Sequence, residues 1–118
     1  MNVESAMKKL MDINGAVAAM IVDSDSGMVL AQTGGSLNLD LAAAGNTEVV
    51  RAKRKTIESL KLNDRIEDIL ITLGKQFHIL RPLSSKENIF IYTVLDKSSA
   101  NLAMARMVIS DVEKEIKF

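Results

Sequence analysis

Two stretches of this chain, "AVAAMIV" at Ala16 to Val22 and "IFIYTVL" at Ile89 to Leu95, are apolar at nearly every position. A strand with one wet face alternates apolar and polar residues, whereas one that is apolar throughout is covered on both sides. A chain of 118 residues carrying two such strands must place layers on both faces of a sheet, and helices are the elements that supply them. The length allows one sizeable core and not two, so a single domain over residues 1–118 is expected.

The link after the first run, "DSDSG" at Asp23 to Gly27, begins like a calcium-binding loop, with carboxylates at alternate positions. The match then fails. Counting from Asp23, Met28 stands where the turn glycine belongs and Gly34 where a bidentate glutamate belongs. Two carboxylates cannot supply the six to eight oxygens such a site takes. The stretch is read as the turn of a β-hairpin joining Ala16–Val22 to Met28–Thr33, with Gly34 to Ser36 as the following loop. Before it, Val3, Met7, Leu10 and Met11 recur at helical spacing behind a capping Asn2, and "NG" at Asn14 and Gly15 ends that helix.

From about Leu37 to Lys61 the pattern is helical again. At about 100° per residue, Leu41, Gly45, Val49, Ala52 and Thr56 share the side expected to face the sheet; Ala42 and Leu60 come next, and Val50, Ile57 and Ala43 lie beyond. The apolar arc covers roughly 200°, interrupted by Asn46 and Lys53, where a helix lying on one sheet needs little more than about 100°. Either the domain wraps further around this helix, or a second chain covers Ala43, Val50 and Ile57. Small residues such as Ala43 and Gly45 allow the close approach that the second reading requires. On the polar side, "RAKRK" at Arg51 to Lys55 is either a solvated face partnered by Glu48 and Glu58, or a docking site for an acidic partner built on Arg51, Arg54 and Lys55.

Three strands follow, at about Ile66–Leu73, Gln76–Leu83 and Ile89–Leu95, joined by "GK" and by "SSKEN". A last helix, with Ser98 or Ser99 as its cap, carries Leu102, Ala105, Ile109, Val112 and Ile116 on one seam. The expected fold class is α+β, in the order αββαβββα: one five-stranded, mostly antiparallel sheet with helices on both faces.

Composition narrows the function mainly by exclusion. Fifteen acids balance fifteen bases, and aromatic residues make up only 3%, so neither a global field nor a stacking platform points to nucleic acid. Without cysteine there is no disulfide, thiolate catalysis or sulfur-ligated zinc, and the single histidine, His78, allows no two-histidine metal centre. His78 is read as a structural or surface residue of its strand. "LGKQ" at Leu73 to Gln76 lacks the upstream glycine and the trailing Ser or Thr of a phosphate loop. No run is long enough to span a membrane, and Asp12 and Asn14 interrupt any secretory core, so a cytoplasmic chain is expected. No catalytic constellation, metal site or cofactor site is assembled, and the chain is read as no enzyme.

The segments "LMDINGAVAAMIVDSDSGMVLAQTG" and "LITLGKQFHILRPL" resemble, respectively, the opening and the middle strands of the Roadblock family of dynein light chains and bacterial small-GTPase regulatory domains. The element order extends the resemblance over essentially the whole chain. It implies a profilin-like α/β sandwich that forms a homodimer by pairing the long helix and the strand after it with their counterparts. Ala43, Val50 and Ile57 then fall at helix contacts, and Asp68, Ile69, Leu70, Ile71, Thr72 and Leu73 at the seam between sheets. It also implies a non-catalytic platform; prokaryotic members of the MglB type bind a Ras-like small GTPase across the paired helices. Because the chain ends with its last helix, binding is expected rather than stimulated hydrolysis. Two alternatives stay open: a scaffold subunit that touches no GTPase, and a small-ligand sensor holding its ligand between layers.

Overall fold

An asparagine opens each helix. Asn2 precedes α1 (Val3–Met11), Asn38 precedes α2 (Leu39–Ser59) and Asn101 precedes α3 (Leu102–Glu115), and each side-chain oxygen accepts a backbone N–H of the first turn, at 2.8, 3.1 and 3.1 Å. The computed structural model describes residues 1–35 and 37–117; Ser36, expected in a loop, lies outside the described residues. The serines expected to cap the last helix do something else. The carboxylate of Asp96 accepts the Ser98 N–H and the hydroxyls of Ser98 and Ser99, holding both serines in the turn ahead of the helix and leaving Asn101 as its cap. Those donors, the Ser98 N–H foremost, hold the Asp96 carboxyl below the usual carboxylate range.

The strands are β1 (Ala16–Asp23), β2 (Met28–Gly34), β3 (Ile69–Thr72), β4 (Gln76–Pro82) and β5 (Ile89–Asp96), arranged β2-β1-β5-β4-β3 with every neighbouring pair antiparallel. The two apolar runs, β1 and β5, are accordingly inner strands and lie side by side. Their alternate residues divide between two cores. Ala19, Ile21, Ile91 and Leu95 meet α1 and α3 through Leu10, Ala105, Ile109 and Val112. Ala18, Met20, Val22, Phe90, Tyr92 and Val94 meet α2 through Leu39, Ala43 and Val50. Truncating a fully buried member such as Phe90 to Ala costs about 3–5 kcal/mol.

The DSDSG stretch is the hairpin turn. Asp23 accepts the Asp25 N–H at 2.9 Å through its side chain and the Gly27 N–H through its carbonyl, and Asp23 pairs with Met28 across the strands. The Asp25 N–H keeps the Asp23 carboxyl below its ordinary range. The β2 strand runs one residue further than expected, to Gly34, whose φ of 109° and closeness to Val17 and Ala18 leave no room for a Cβ. The α2 helix ends at Ser59 because Lys61 turns left-handed at φ 55°: its N–H bonds the Glu58 carbonyl and the Leu62 N–H bonds the Ile57 carbonyl, a Schellman close.

Two ion pairs hold α3 to the sheet side of the molecule. Glu113, 3% exposed, takes Arg81 at 3.3 Å together with the N–H and hydroxyl of Ser84. Arg106 meets Asp68, just ahead of β3, through two bonds of 3.0 Å. Among the described residues, no helix is long and apolar enough to cross a membrane.

Candidate interaction surface

The α2 helix reverses the face expected of it. Leu39, Ala43, Thr47 and Val50 point into the sheet, while Leu41 is 69% and Val49 38% exposed, with Gly45, Ala52 and Thr56 also outside. Ala43 and Val50, assigned to a contact between chains, are completely buried in their own domain and have no surface left for a partner. The reason lies in the packing: Ala43 is small enough to bring the helix close to β1 and β5, and Leu39 and Val50 then fill the space one and two turns away. Ile57 is half-buried at the flank.

The basic run is divided in the same way. Arg54 does not point to solvent: it donates to Ser24 Oγ at 3.0 Å and to the Glu87 carbonyl, tying α2 to the β1–β2 turn and the β4–β5 loop. Arg51 and Lys55 remain exposed. Of the expected docking trio, the structure therefore leaves two free and gives the third an internal role.

At the opposite side of the sheet, β3 is an edge strand, paired with β4 through Ile69↔Leu80 to Thr72↔Phe77 and open along its other side. Ile69 and Ile71 lie on the α2 side and Leu70 on the other. Asp68 is engaged by Arg106, and Leu73 is exposed beyond the strand's end. Between this edge and α2 runs a groove of about 650 Å³ whose walls include Val49, Lys53 and Ile57 on one side and Ile66 and Ile69 on the other. A smaller hollow of about 310 Å³ adjoins it beneath the end of α2, where Ile57, Ile66, Pro82 and Leu83 form an apolar floor beside Arg54 and Arg65. The exposed stripe of α2, the groove and the β3 edge are contiguous.

A chain of uncharged polar groups also lies on this face. His78 Nε2 is 2.9 Å from Gln76 Oε1 and His78 Nδ1 3.0 Å from the Tyr92 hydroxyl, while Asn46 Nδ2 donates to the Ala42 carbonyl at 2.8 Å. An amide oxygen only accepts, so Nε2 carries the proton and Nδ1 accepts from Tyr92. Burial lowers the His78 pKa and raises that of Tyr92, the latter offset by Asn46. The sequence pattern marks His78 only as a structural or surface residue and does not reveal this chain. Its one legible trace is the spacing of Gln76 and His78, which puts both on the same side of β4. Among the described residues, no group of three His, Asp or Glu side chains is placed to hold a metal ion.

No protein-family model matches this sequence, and no curated protein matches it. Solved structures do match. A Roadblock/LC7 domain from Streptomyces avermitilis superposes with a TM-score of 0.81 at 12% identity, over 97% of this chain and 93% of that one. Myxococcus xanthus MglB gives 0.82 at 16% identity, over 94% and 88%. The gliding protein MglB of Thermus thermophilus gives 0.81 at 16% identity, over 94% and 82%.

Proposed function

We propose, for a chain with the Roadblock fold, that it acts as a homodimeric, non-catalytic platform for a Ras-like small GTPase. The observation that carries this reading is the exposed apolar stripe of α2 lying beside an unpaired strand edge. Two copies related by a two-fold axis cover both features at once: β3 pairs with β3 through Ile69, Leu70, Ile71 and Thr72, with Asp68 and Leu73 at the ends of the seam, and α2 packs on α2. The helix contact is then made by Leu41, Gly45, Val49 and Ala52, with Ile57 on the wall of the adjoining groove. Leu41 and Val49 supply apolar area, and Gly45 and Ala52 let the backbones approach. One similar fold is described as MglB with a tetrameric arrangement, which supports self-association as a property this fold accommodates.

The GTPase enters through the Roadblock resemblance and through the similarity to MglB structures. Arg51 and Lys55, exposed on α2, are the residues of the chain's basic run that take part in docking; Arg54 contributes by holding α2 in place. The test is affinity capture from source-cell lysate with GDP and with a non-hydrolysable GTP analogue, followed by titration of the captured GTPase in purified form. Nucleotide-dependent binding that is lost on reversing Arg51 and Lys55 supports the reading. Purified GTPases that bind neither nucleotide state would leave a scaffold without GTPase contact.

A further inference from the structure

The sheet has a second open edge that the proposed dimer does not use. The β2 strand lies outermost on the side opposite β3; the Met28 N–H donates to Ser26 Oγ in the turn at 3.2 Å, and among the described residues the backbone groups of 29–34 bond to nothing beyond β1. Natural proteins blunt such an edge with lysine, proline or a very short strand. This one is seven residues long, "MVLAQTG", with no charge and no proline. Met28 is 64% and Leu30 47% exposed along it. Its one irregularity is a bulge: Ile21 pairs with Ala31 and Val22 with Val29, so Leu30 has no partner on β1.

The ground above this edge is charged. The α2 helix runs back along β2, since it starts just after Gly34 and its Arg54 reaches Ser24 at the opposite end. One flank of α2 faces β3, where Val49 and Lys53 line the groove with Ile69. The other flank, with Ala44, Arg51 and Lys55, therefore overhangs β2. Arg51 and Lys55 are exposed, and neither belongs to an ion pair among the described residues, although Glu48 and Glu58 stand one turn away on the same helix.

We infer that the β2 edge is a docking site for an extended segment of a partner protein that carries acidic side chains at alternate positions. An added strand satisfies the open backbone groups, as in other cases of strand addition. Its α2-facing side chains recur about every 6.7 Å, and Arg51 and Lys55, one helical turn apart, are about 6 Å apart along the helix axis. Two carboxylates at alternate positions thus meet two bases. Ala44, between the bases and the start of the helix, leaves room for the strand to pass. A second copy of this chain fits less well, because β2 itself has no carboxylate to offer the bases. This inference is independent of the β3 seam; it shares Arg51 and Lys55 with the GTPase reading, and the changes at Met28 and Leu30, which touch only the β2 edge, tell the two apart.

The test uses the full chain and a capped peptide alternating valine and glutamate over about seven residues, with a twin in which lysine replaces glutamate. Amide hydrogen exchange followed by NMR should show the glutamate peptide slowing exchange within 28–34 by at least about tenfold, an effect that weakens with salt, with no such effect from the lysine twin. Reversing Arg51 and Lys55 to Glu, or blunting the edge with Met28→Lys and Leu30→Lys, should abolish the protection; all four side chains are exposed, so the fold survives. A Val49→Glu chain should retain it. Equal effects of both peptides, protection of 69–72 instead, or none at millimolar peptide would overturn the inference. So would protection of β2 that grows with protein concentration alone, which would assign the edge to a second copy.

Discussion

Glu113 receives three groups on one nearly buried carboxylate, and its removal strands two of them. Glu113→Ala leaves Arg81 and the Ser84 N–H without their acceptor inside the fold, and should cost about 2–4 kcal/mol in urea unfolding, with Glu113→Gln costing less because it keeps an acceptor oxygen. His78 sets a pH dependence. Burial lowers its pKa below the ordinary 6.5, so the unfolded chain takes up the proton first as pH falls. Its contribution is complete above about pH 6.5 and declines as pH drops from there toward the folded-state value. A His78→Gln chain, which has no proton to take up at this position, should show a shallower loss of Tm between pH 7 and pH 5 than the wild type. Parallel profiles for the two chains would remove His78 as the cause. The protonated ring could no longer accept from Tyr92, so the same titration should release the Tyr92–His78 bond.

Among the elements, α2 tests the account most sharply, because adjacent residues on it have opposite fates. Val50→Ala should destabilise the folded chain by about 2 kcal/mol, since Val50 is fully buried, whereas Val49→Ala should stay within about 0.5 kcal/mol in a monomeric state. At the end of the same helix, Lys61→Gly should raise stability by about 0.5–1 kcal/mol in thermal unfolding, because glycine adopts the left-handed closing position without the strain of a Cβ. A loss of stability there would mean that the Lys61 side chain does more than tolerate its conformation. This helix is also where the sequence reading had the right pattern and the wrong phase. Its presence and its excess apolar arc are legible in the sequence, but it starts at Leu39 behind Asn38 and not at about Leu37, and Leu39, Ala43, Thr47 and Val50 face the sheet in place of Leu41, Gly45, Val49 and Ala52. Hydropathy could not separate two stripes on opposite sides, because alanine and threonine score weakly although a close helix–sheet contact favours small residues. The inner strands carry less ambiguity: runs apolar on both sides admit only inner positions, and β1 and β5 hold two of the three, whereas β3 covers only Ile69–Thr72 of the expected Ile66–Leu73. Arg54 was misassigned for a related reason. A long polar side chain on a wheel looks solvated, and only the fold brings Ser24 and the Glu87 carbonyl within its reach.

At the scale of the molecule, among the described residues the sheet ends in two open edges and one face of α2 stays apolar and uncovered. A monomer leaves the α2 stripe, the groove and the β3 edge exposed together, and the proposed two-fold contact would remove all three from water. An exposed apolar edge left uncovered invites uncontrolled pairing, so the proposed dimer would also protect the chain from assembling further along β3. The measurement that tests this most directly is sedimentation velocity at micromolar concentration on the wild type and on Val49→Glu. The account predicts a wild type at twice the 12.9 kDa chain mass and a folded Val49→Glu at the chain mass, since the new carboxylate would be buried without a partner. A wild type that sediments at the mass of one chain, or a Val49→Glu chain that remains a dimer, would contradict it.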